Sequence, residues 1–364
     1  MGGIGVALLA GGALTGCLDV ADARARRDAE VGQAASGGLA IAVDEGLAAV
    51  RLLAPDRIVL WGQAPSLGLT LTIPPGTPTL SLTFDNALPD AVLSAPEGPP
   101  GLALVPEPTL VATQRRYQLL GLQPGPLRLV LAPPDANAST PFRFAVFADV
   151  QEAIGRVQDL YRRMNQDETL RFVVMSGDLT ESGSEAELTR FQREMQGLGI
   201  PIFATLGNHE LGVRDTLFHE HFGRGNFRFA FHGVQFTLLD SASATLAPQV
   251  YGWLDTWLVD ARDRLHFVFM HIPPLDPVGA RNGAFASRLE AAKLISLLAA
   301  GGVDLTIYGH VHSYYAFSNG GIPAFVTGGG GAIPERLDGL GRHYLVVSVD
   351  PAEARLETSL VRIE

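Results

Sequence analysis

The segment Phe172-Val-Val-Met-Ser-Gly177-Asp178 decides the fold class, because it is a short apolar run that ends in a glycine and a carboxylate. The segment Pro201-Ile-Phe-Ala-Thr-Leu-Gly-Asn-His-Glu210 follows the same pattern, with an amide and an imidazole after its apolar run. Short apolar runs bounded by turn residues indicate buried strands, and helical periodicity between them indicates alternating βα units. Residues 142–364 are therefore predicted to form a layered α/β domain.

Further strands and helices follow from the same patterns. Phe142–Ala148, His266–Met270 and Leu305–Tyr308 are predicted as strands. Between the strands, Ser184 with Glu187 and Ser287 with Glu290 have the spacing of capping boxes, which begin helices.

Polar blocks follow several of these strands. Their members are Asp149, Gln151, Asp178, Asn208, His209, His271, His310 and His312. Carboxylate and amide oxygens suit hard divalent cations, and imidazole nitrogen suits borderline ones. Two neighbouring cations need a shared carboxylate, for which Asp178 is the natural candidate because it follows a strand and a glycine. His310 and His312 are two residues apart, so on an extended segment they would point the same way and could reach different cations.

The ordered blocks resemble the D-x-H, G-D, G-N-H-[DE], H and G-H-x-H motifs of the calcineurin-like metallophosphoesterase superfamily. The resemblance implies a four-layer α/β/β/α sandwich and two divalent cations, either Mn, Fe or Zn. It also implies an enzyme that hydrolyses a phosphomonoester or phosphodiester with a metal-bridging hydroxide. In this sequence, it assigns Asp149, Asp178 and His312 to one cation. It assigns Asp178, Asn208, His271 and His310 to the other. His209 matches the residue that contacts phosphate and helps to protonate the leaving group.

Gln151 is the departure from this pattern, because the family has histidine at its position. Glutamine can coordinate through its carbonyl oxygen, but it is a weaker donor than imidazole and favours a harder ion such as Mn²⁺ or Mg²⁺. Three hypotheses follow: an intact dinuclear enzyme with Gln151 as a variant ligand, an enzyme with one tight and one labile site, and a non-catalytic binding domain.

Residues 47–137 have a different character. Short apolar runs such as Leu67–Ile73 and Leu80–Phe84 are separated by turns that contain proline or glycine, which predicts a small all-β Ig-like sandwich. Tyr117–Gly125 resembles the later strands of fibronectin type III-like domains. We interpret this domain as a spacer or docking module, joined to the α/β domain by the turn-rich linker Pro133–Pro141.

The N-terminus carries a different signal. Residues 1–17 end in Leu14-Thr15-Gly16-Cys17, which resembles the lipobox of bacterial lipoproteins, in which the cysteine is lipidated. This predicts a signal peptide, membrane anchoring through Cys17 and a location in the bacterial cell envelope, facing the periplasm or the outside. The alternative is a poorly ordered apolar terminus with an incidental cysteine. Residues 18–46 mix charged and small residues and are predicted to be a tether.

The overall charge limits the possible partners. A formal net charge of −11 argues against nucleic acid, which needs basic surfaces, but it permits a phosphate-ester substrate because cations can supply positive charge. The rival to an enzyme is a metal- or phosphate-binding envelope scaffold. The sequence does not predict the oligomeric state.

Overall fold

The computed structural model describes residues 12–279, 283–335 and 340–363. The helices are α1 (Gly12–Asp28), α2 (Gln158–Asn165), α3 (Glu185–Met195), α4 (Leu217–His221), α5 (Pro248–Asp260) and α6 (Arg288–Ala300). The first ten strands are β1 (Gln33–Ser36), β2 (Leu39–Val43), β3 (Ala48–Ala54), β4 (Arg57–Gly62), β5 (Leu67–Ile73), β6 (Thr79–Asp85), β7 (Val92–Ser94), β8 (Ala103–Glu107), β9 (Arg115–Leu120) and β10 (Gly125–Ala132). The others are β11 (Phe142–Phe147), β12 (Leu170–Ser176), β13 (Ile202–Thr205), β14 (Phe227–Phe231), β15 (Val234–Leu239), β16 (His266–Met270), β17 (Leu305–Tyr308), β18 (Tyr314–Asn319), β19 (Ile322–Thr327), β20 (His343–Asp350) and β21 (Arg355–Arg362).

The N-terminal region is all-β, as predicted. One five-stranded sheet has the order β1-β2-β5-β10-β7, and the other has the order β3-β4-β6-β9-β8. Leu67, Leu69 and Leu71 alternate with less buried residues along β5, which is the pattern of a strand with one face in a core. The two sheets are consistent with an Ig-like sandwich, whereas the closer resemblance to fibronectin type III domains stays a prediction.

The α/β domain contains two sheets of mixed direction. One has the order β13-β12-β11-β20-β21, with β11, β12 and β13 parallel. The other has the order β14-β15-β16-β17-β19-β18, with β15, β16, β17 and β19 parallel. Phenylalanines fill the space between the sheets; Phe172 of the first sheet contacts Phe236 of the second with ring centroids 5.4 Å apart.

Helices cover the outer faces of these sheets. Residues of α2 and α3 share a core with the first sheet, and residues of α5 and α6 share a core with the second. The predicted α/β/β/α layering is therefore confirmed. The capping box of Ser184 and Glu187 is present. Ser287 also caps its helix, but the Glu290 carboxylate accepts hydrogen bonds from Thr245, Leu246 and Tyr251 instead of closing a box.

The prediction of a tether over residues 18–46 is wrong for residues 20–46, whose backbone and side chains the structure describes. Strands β1 and β2 belong to the sandwich, so the predicted domain boundary at residue 47 is also too late. The end of α1 packs on the α/β domain, where Arg24 forms a buried ion pair with Asp240. Asp28, also buried, accepts hydrogen bonds from the backbone N–H groups of Gly225 and Asn226. Arg24 and Asp28 therefore have partners far away in the sequence, whereas Arg26 and Arg27 make exposed local ion pairs with Asp22 and Glu30.

Polar side chains also join the sandwich to the α/β domain. The Asn86 side chain accepts a hydrogen bond from the Ile202 N–H and donates to the Ile202 carbonyl, so it pairs with β13 as a neighbouring strand would. Gln63 makes the same kind of two-way contact with the backbone of Arg224. Within the described ranges, no helix is both long and apolar enough to cross a membrane.

Candidate metal centre

The two sheets of the α/β domain bring their polar strand ends together at one edge. Asp149, Asp178 and Asn208 follow the parallel strands β11, β12 and β13. His271 and His310 follow β16 and β17 of the facing sheet. Because carboxyl ends of parallel strands share an edge, these side chains converge without any long loop.

The backbone at this edge turns sharply. Asp149, Gln151, Asp178 and His310 all have positive φ, between 48° and 69°. Such conformations cost free energy for residues other than glycine and cluster at functional sites. Gly177 is equally constrained: at φ 84°, an added Cβ would lie 2.7 Å from the Gly207 nitrogen and 2.8 Å from the His271 Cβ.

One cluster of ligand-type atoms lies between Asp178, His271 and His310, whose ligand atoms are all within 4.8 Å of one another. His271 Nε2 is 3.2 Å from Asp178 Oδ2 and 3.0 Å from Asn208 Oδ1. Donor atoms about 3 Å apart have the spacing that they would have around a common cation with bonds of about 2 Å. Together with Asn208, the three residues of this cluster are the four that the resemblance assigned to one cation.

A second group lies beside it, around Asp149 and His312. Asp149 Oδ2 accepts a hydrogen bond from the His310 N–H. Asp149 Oδ1 is buried 3.5 Å from His312 Nε2 and has no hydrogen-bond partner among the described residues. An unpaired buried carboxylate oxygen is costly unless a cation or a proton meets it. Asp178 borders both groups, as a bridging ligand must.

Gln151 reaches into the same group with its amide nitrogen. Nε2 donates a hydrogen bond to Asp178 Oδ2 at 2.9 Å and lies 3.2 Å from His312 Nε2. The side chain is buried, and its backbone N–H bonds to the Asp178 carbonyl. The structure therefore places Gln151 among the candidate ligands, with its nitrogen rather than its oxygen facing them.

Backbone carbonyls orient two of the imidazoles. His271 Nδ1 is 2.8 Å from the Ser176 carbonyl, and His312 Nδ1 is 2.8 Å from the Ile333 carbonyl. A ring that donates from Nδ1 presents Nε2 to a metal, and this second contact fixes the orientation of the ring. His209 is held in the same way by the Glu181 carbonyl, with Nε2 3.8 Å from Asp178 Oδ2.

Glu210 joins the two loops that carry Asp178 and Asn208. Its Oε2 accepts hydrogen bonds from the backbone of Asp178 (3.0 Å) and Gly207 (2.8 Å). Its Oε1 accepts from the backbone N–H (3.0 Å) and the hydroxyl (2.8 Å) of Thr180. These four contacts place Glu210 in a position that supports the loops of the candidate ligands.

The electrostatics reflect several buried charges in close contact. Burial, reinforced by the nearby Asp178, raises the pKa of Asp149 to about 6. Burial alone would lower the pKa of His271, but Asp178 and Asp149 raise it to about 9. Burial would raise the pKa of Asp178, yet His271 and His209 hold it well below its usual range. A site that concentrates buried carboxylates and imidazoles in this way is suited to positive charge.

The donor set fits two divalent cations. One position has Asp178, Asn208, His271 and His310 around it, and the other has Asp149, Asp178, His312 and the Gln151 amide. The converging atoms and the unpaired Asp149 oxygen are the observations that support the fit.

All eight predicted site residues between 149 and 312 lie at this edge, but one expectation was wrong in detail. His310 and His312 are on bends closed by the Val311 N–H to Gly309 carbonyl contact, not on an extended segment. His219 and His221 are not at this edge; they are buried against Asp28 and Gln192. The side chain of Cys17, like the rest of the predicted signal peptide before residue 12, lies outside the described residues.

Comparisons with known proteins agree with the resemblance seen in the motifs. Residues 142–314 match the model of the family described as calcineurin-like phosphoesterase. Among solved structures, PhoD is 13% identical with a TM-score of 0.50, and the match covers 83% of this chain and 88% of that one. At such identity, the likeness shows the fold alone.

Two other solved structures are also similar to this chain. A dimetal phosphatase from Danio rerio is 16% identical with a TM-score of 0.47, covering 61% of this chain and 99% of that chain. GAP50, the anchor in the inner membrane complex of Plasmodium, is 15% identical with a TM-score of 0.45, covering 62% and 90%. No curated protein matches the chain.

Proposed function

We propose that this protein is a metal-dependent phosphoesterase that hydrolyses a phosphomonoester or a phosphodiester. The observation that carries the proposal is the convergence of the Asp178, His271 and His310 ligand atoms within 4.8 Å, beside the unpaired buried oxygen of Asp149. Two divalent cations bound there would supply a water of lowered pKa and would neutralise charge on the phosphoryl oxygens.

The chain's own residues would orient the ester and move a proton. His209 is partly exposed, and Asp178, opposed by burial, raises the pKa of its imidazole. Because Nδ1 contacts the Glu181 carbonyl, Nε2 is the atom available to contact a phosphate oxygen and to donate a proton to the leaving group. Removal of this proton donor slows the reaction most for esters with poor leaving groups.

Turnover of chromogenic phosphate monoesters and diesters, measured with added Mn²⁺, Zn²⁺ or Fe²⁺, tests the proposal. Asp178→Ala and His310→Ala are expected to lose both bound metal and activity. Asp263→Ala removes an exposed carboxylate and serves as the matched control, which should keep both. If Asp178→Ala and His310→Ala retain wild-type metal content and turnover, the proposal fails. Metal uptake without turnover would instead support the rival function, a metal- or phosphate-binding scaffold.

We also propose that Cys17 carries a lipid that holds the protein in the bacterial cell envelope. The lipobox-like sequence before Cys17 supports this, and Ala21 is already buried only four positions later. One helical turn is about 5.4 Å, so an anchor at Cys17 would hold the folded body close to the membrane. Cys17→Ser should release the protein from the membrane fraction of the host; an unchanged distribution would contradict lipidation.

A further inference from the structure

The orientation of the Gln151 side chain separates the two candidate cation positions. Its amide nitrogen donates to Asp178 Oδ2 and faces His312 Nε2, the two atoms that a cation at the Asp149 side would need. An amide N–H₂ group has no lone pair to offer a metal, so coordination requires the carbonyl oxygen instead. Asp178 Oδ2 also lies 3.2 Å from His271 Nε2, so the contact with His312 Nε2 is the one that is particular to the position beside Asp149.

The two amide orientations exclude one another at these distances. With the oxygen turned inward, Gln151 Oε1 would lie close to the negative Asp178 Oδ2, which is unfavourable unless a cation lies between the two oxygens. With the nitrogen inward, the amide satisfies a buried carboxylate and the acceptor nitrogen of His312, whose Nδ1 faces the Ile333 carbonyl. Rotation about the last side-chain bond exchanges N and O without changing the occupied volume, so the buried side chain can adopt both.

We propose that Gln151 is a rotating amide that makes the cation position beside Asp149 and His312 the weaker of the two. The position fills second, when the amide gives up its hydrogen bond to Asp178 and presents its oxygen. This inference rests on the proposed function, and it concerns the order and affinity of metal binding rather than the reaction.

The donor atoms also give the two positions different metal preferences. The weaker position offers three oxygens and one nitrogen, from Asp149, Asp178, Gln151 and His312. The tighter position offers two oxygens and two nitrogens, from Asp178, Asn208, His271 and His310. Oxygen-rich sites favour hard ions such as Mn²⁺ and Mg²⁺, and imidazole-rich sites favour Zn²⁺. Zn²⁺ should therefore displace Mn²⁺ from the tighter position before it displaces Mn²⁺ from the weaker position.

Mn²⁺ titration of the chelator-treated full chain, followed by calorimetry and by electron paramagnetic resonance, tests this inference without an activity assay. Loss of one hydrogen bond to a charged group predicts a second equivalent that binds about 10- to 100-fold more weakly than the first. The first equivalent should give the spectrum of isolated Mn²⁺, and exchange coupling should appear only with the second.

Two substitutions at the same position distinguish a rotating ligand from a simple obstruction. Gln151→His removes the competing amide and should bring the two affinities close together, so that coupling appears at low loading. Gln151→Leu lacks the amide oxygen, so this variant should still bind Mn²⁺ at the tighter position but no longer at the weaker position. Gln166→His, at an exposed position, controls for an added imidazole and should leave both classes unchanged.

Several results would overturn the inference. Two equally tight classes in the wild type would show that Gln151 does not weaken the site. If wild type has only one class of Mn²⁺ site and Gln151→His also has only one, the position beside Asp149 does not bind metal. Tighter second binding in Gln151→Leu would show that Gln151 obstructs the position and never coordinates. Absence of binding by Mn²⁺, Zn²⁺ and Fe²⁺ alike would contradict the proposed function itself, so the two failures are distinguishable.

Discussion

Glu210 should be essential for the arrangement of the metal-site loops, and replacement by glutamine is the sharpest way to test this. The carboxylate accepts four hydrogen bonds, two at each oxygen, from Asp178, Gly207 and Thr180. Glutamine keeps one oxygen, so the two donors at the other would face an N–H₂ group. A hydrogen bond to a charged acceptor contributes about 1.5–3 kcal/mol, so Glu210→Gln should lower the free energy of unfolding by about 3–6 kcal/mol.

Burial and the charge of Asp178 raise the pKa of Glu210 to about 7. Urea denaturation of wild-type and variant protein at about pH 8.5, where this carboxylate is charged, and with chelator present, measures the difference. Glu168→Gln, which changes an exposed carboxylate in the same domain, is the matched control and should stay within about 0.5 kcal/mol. Mn²⁺ affinity should fall in parallel, because the loops of Asp178 and Asn208 lose their common support. A Glu210→Gln protein within about 1 kcal/mol of wild type, with unchanged Mn²⁺ affinity, would refute the idea that Glu210 holds these loops together.

Substitutions at three further places test other parts of the structure. Arg24→Met leaves the buried Asp240 without its ion-pair partner and should lower the free energy of unfolding, measured by urea denaturation, by about 3–5 kcal/mol. The double variant Arg24→Met with Asp240→Leu should lose less stability, because no unpaired charge is left buried. Equal losses in the two proteins would argue against a buried ion pair. Gly177→Ala should lose stability and metal together, because its Cβ would collide with the Gly207 nitrogen and the His271 Cβ; a metal content equal to wild type would contradict the close packing. Burial, with Arg228 adding to it, lowers the pKa of His266 to about 4. As pH falls below the unfolded-state pKa of about 6.5, protonation then favours the unfolded chain, so wild type should lose about 2 kcal/mol more than His266→Phe between pH 7 and pH 5; parallel curves would show that His266 is not responsible.

Much of the α/β domain could be predicted because its signals are local. Strand β16 has the limits that its apolar run predicts, and β12 begins two residues before the apolar run that starts at Phe172. Ser184 and Glu187 form the predicted capping box. The polar residues converge because they follow parallel strands, so their positions after the predicted strands were enough to predict that they form one site.

The N-terminal segment could not be predicted because its stabilising partners are distant in sequence. Arg24 and Asp28 look like residues of a solvated tether, yet Arg24 pairs with Asp240, and Asp28 contacts Gly225 and His219. No local pattern distinguishes a charge that will be buried and paired from one that will be solvated.

The role of Gln151 was only partly predictable. The motif marked its position as unusual, and the structure adds that its nitrogen, not its oxygen, faces Asp178. The direction of an amide depends on hydrogen-bond partners that come from other loops, here those of Asp178 and His312. Sequence could therefore identify the residue but not the competition between its two orientations.

The most direct test of the central claim is the rate at which one protein sample hydrolyses chromogenic phosphate monoesters and diesters before and after metal removal. Chelator treatment should abolish turnover, and added Mn²⁺ should restore it to the original rate in the wild type but not in Asp178→Ala. Turnover that survives complete metal removal, or that returns equally in Asp178→Ala, would contradict a metal-dependent phosphoesterase centred on Asp178.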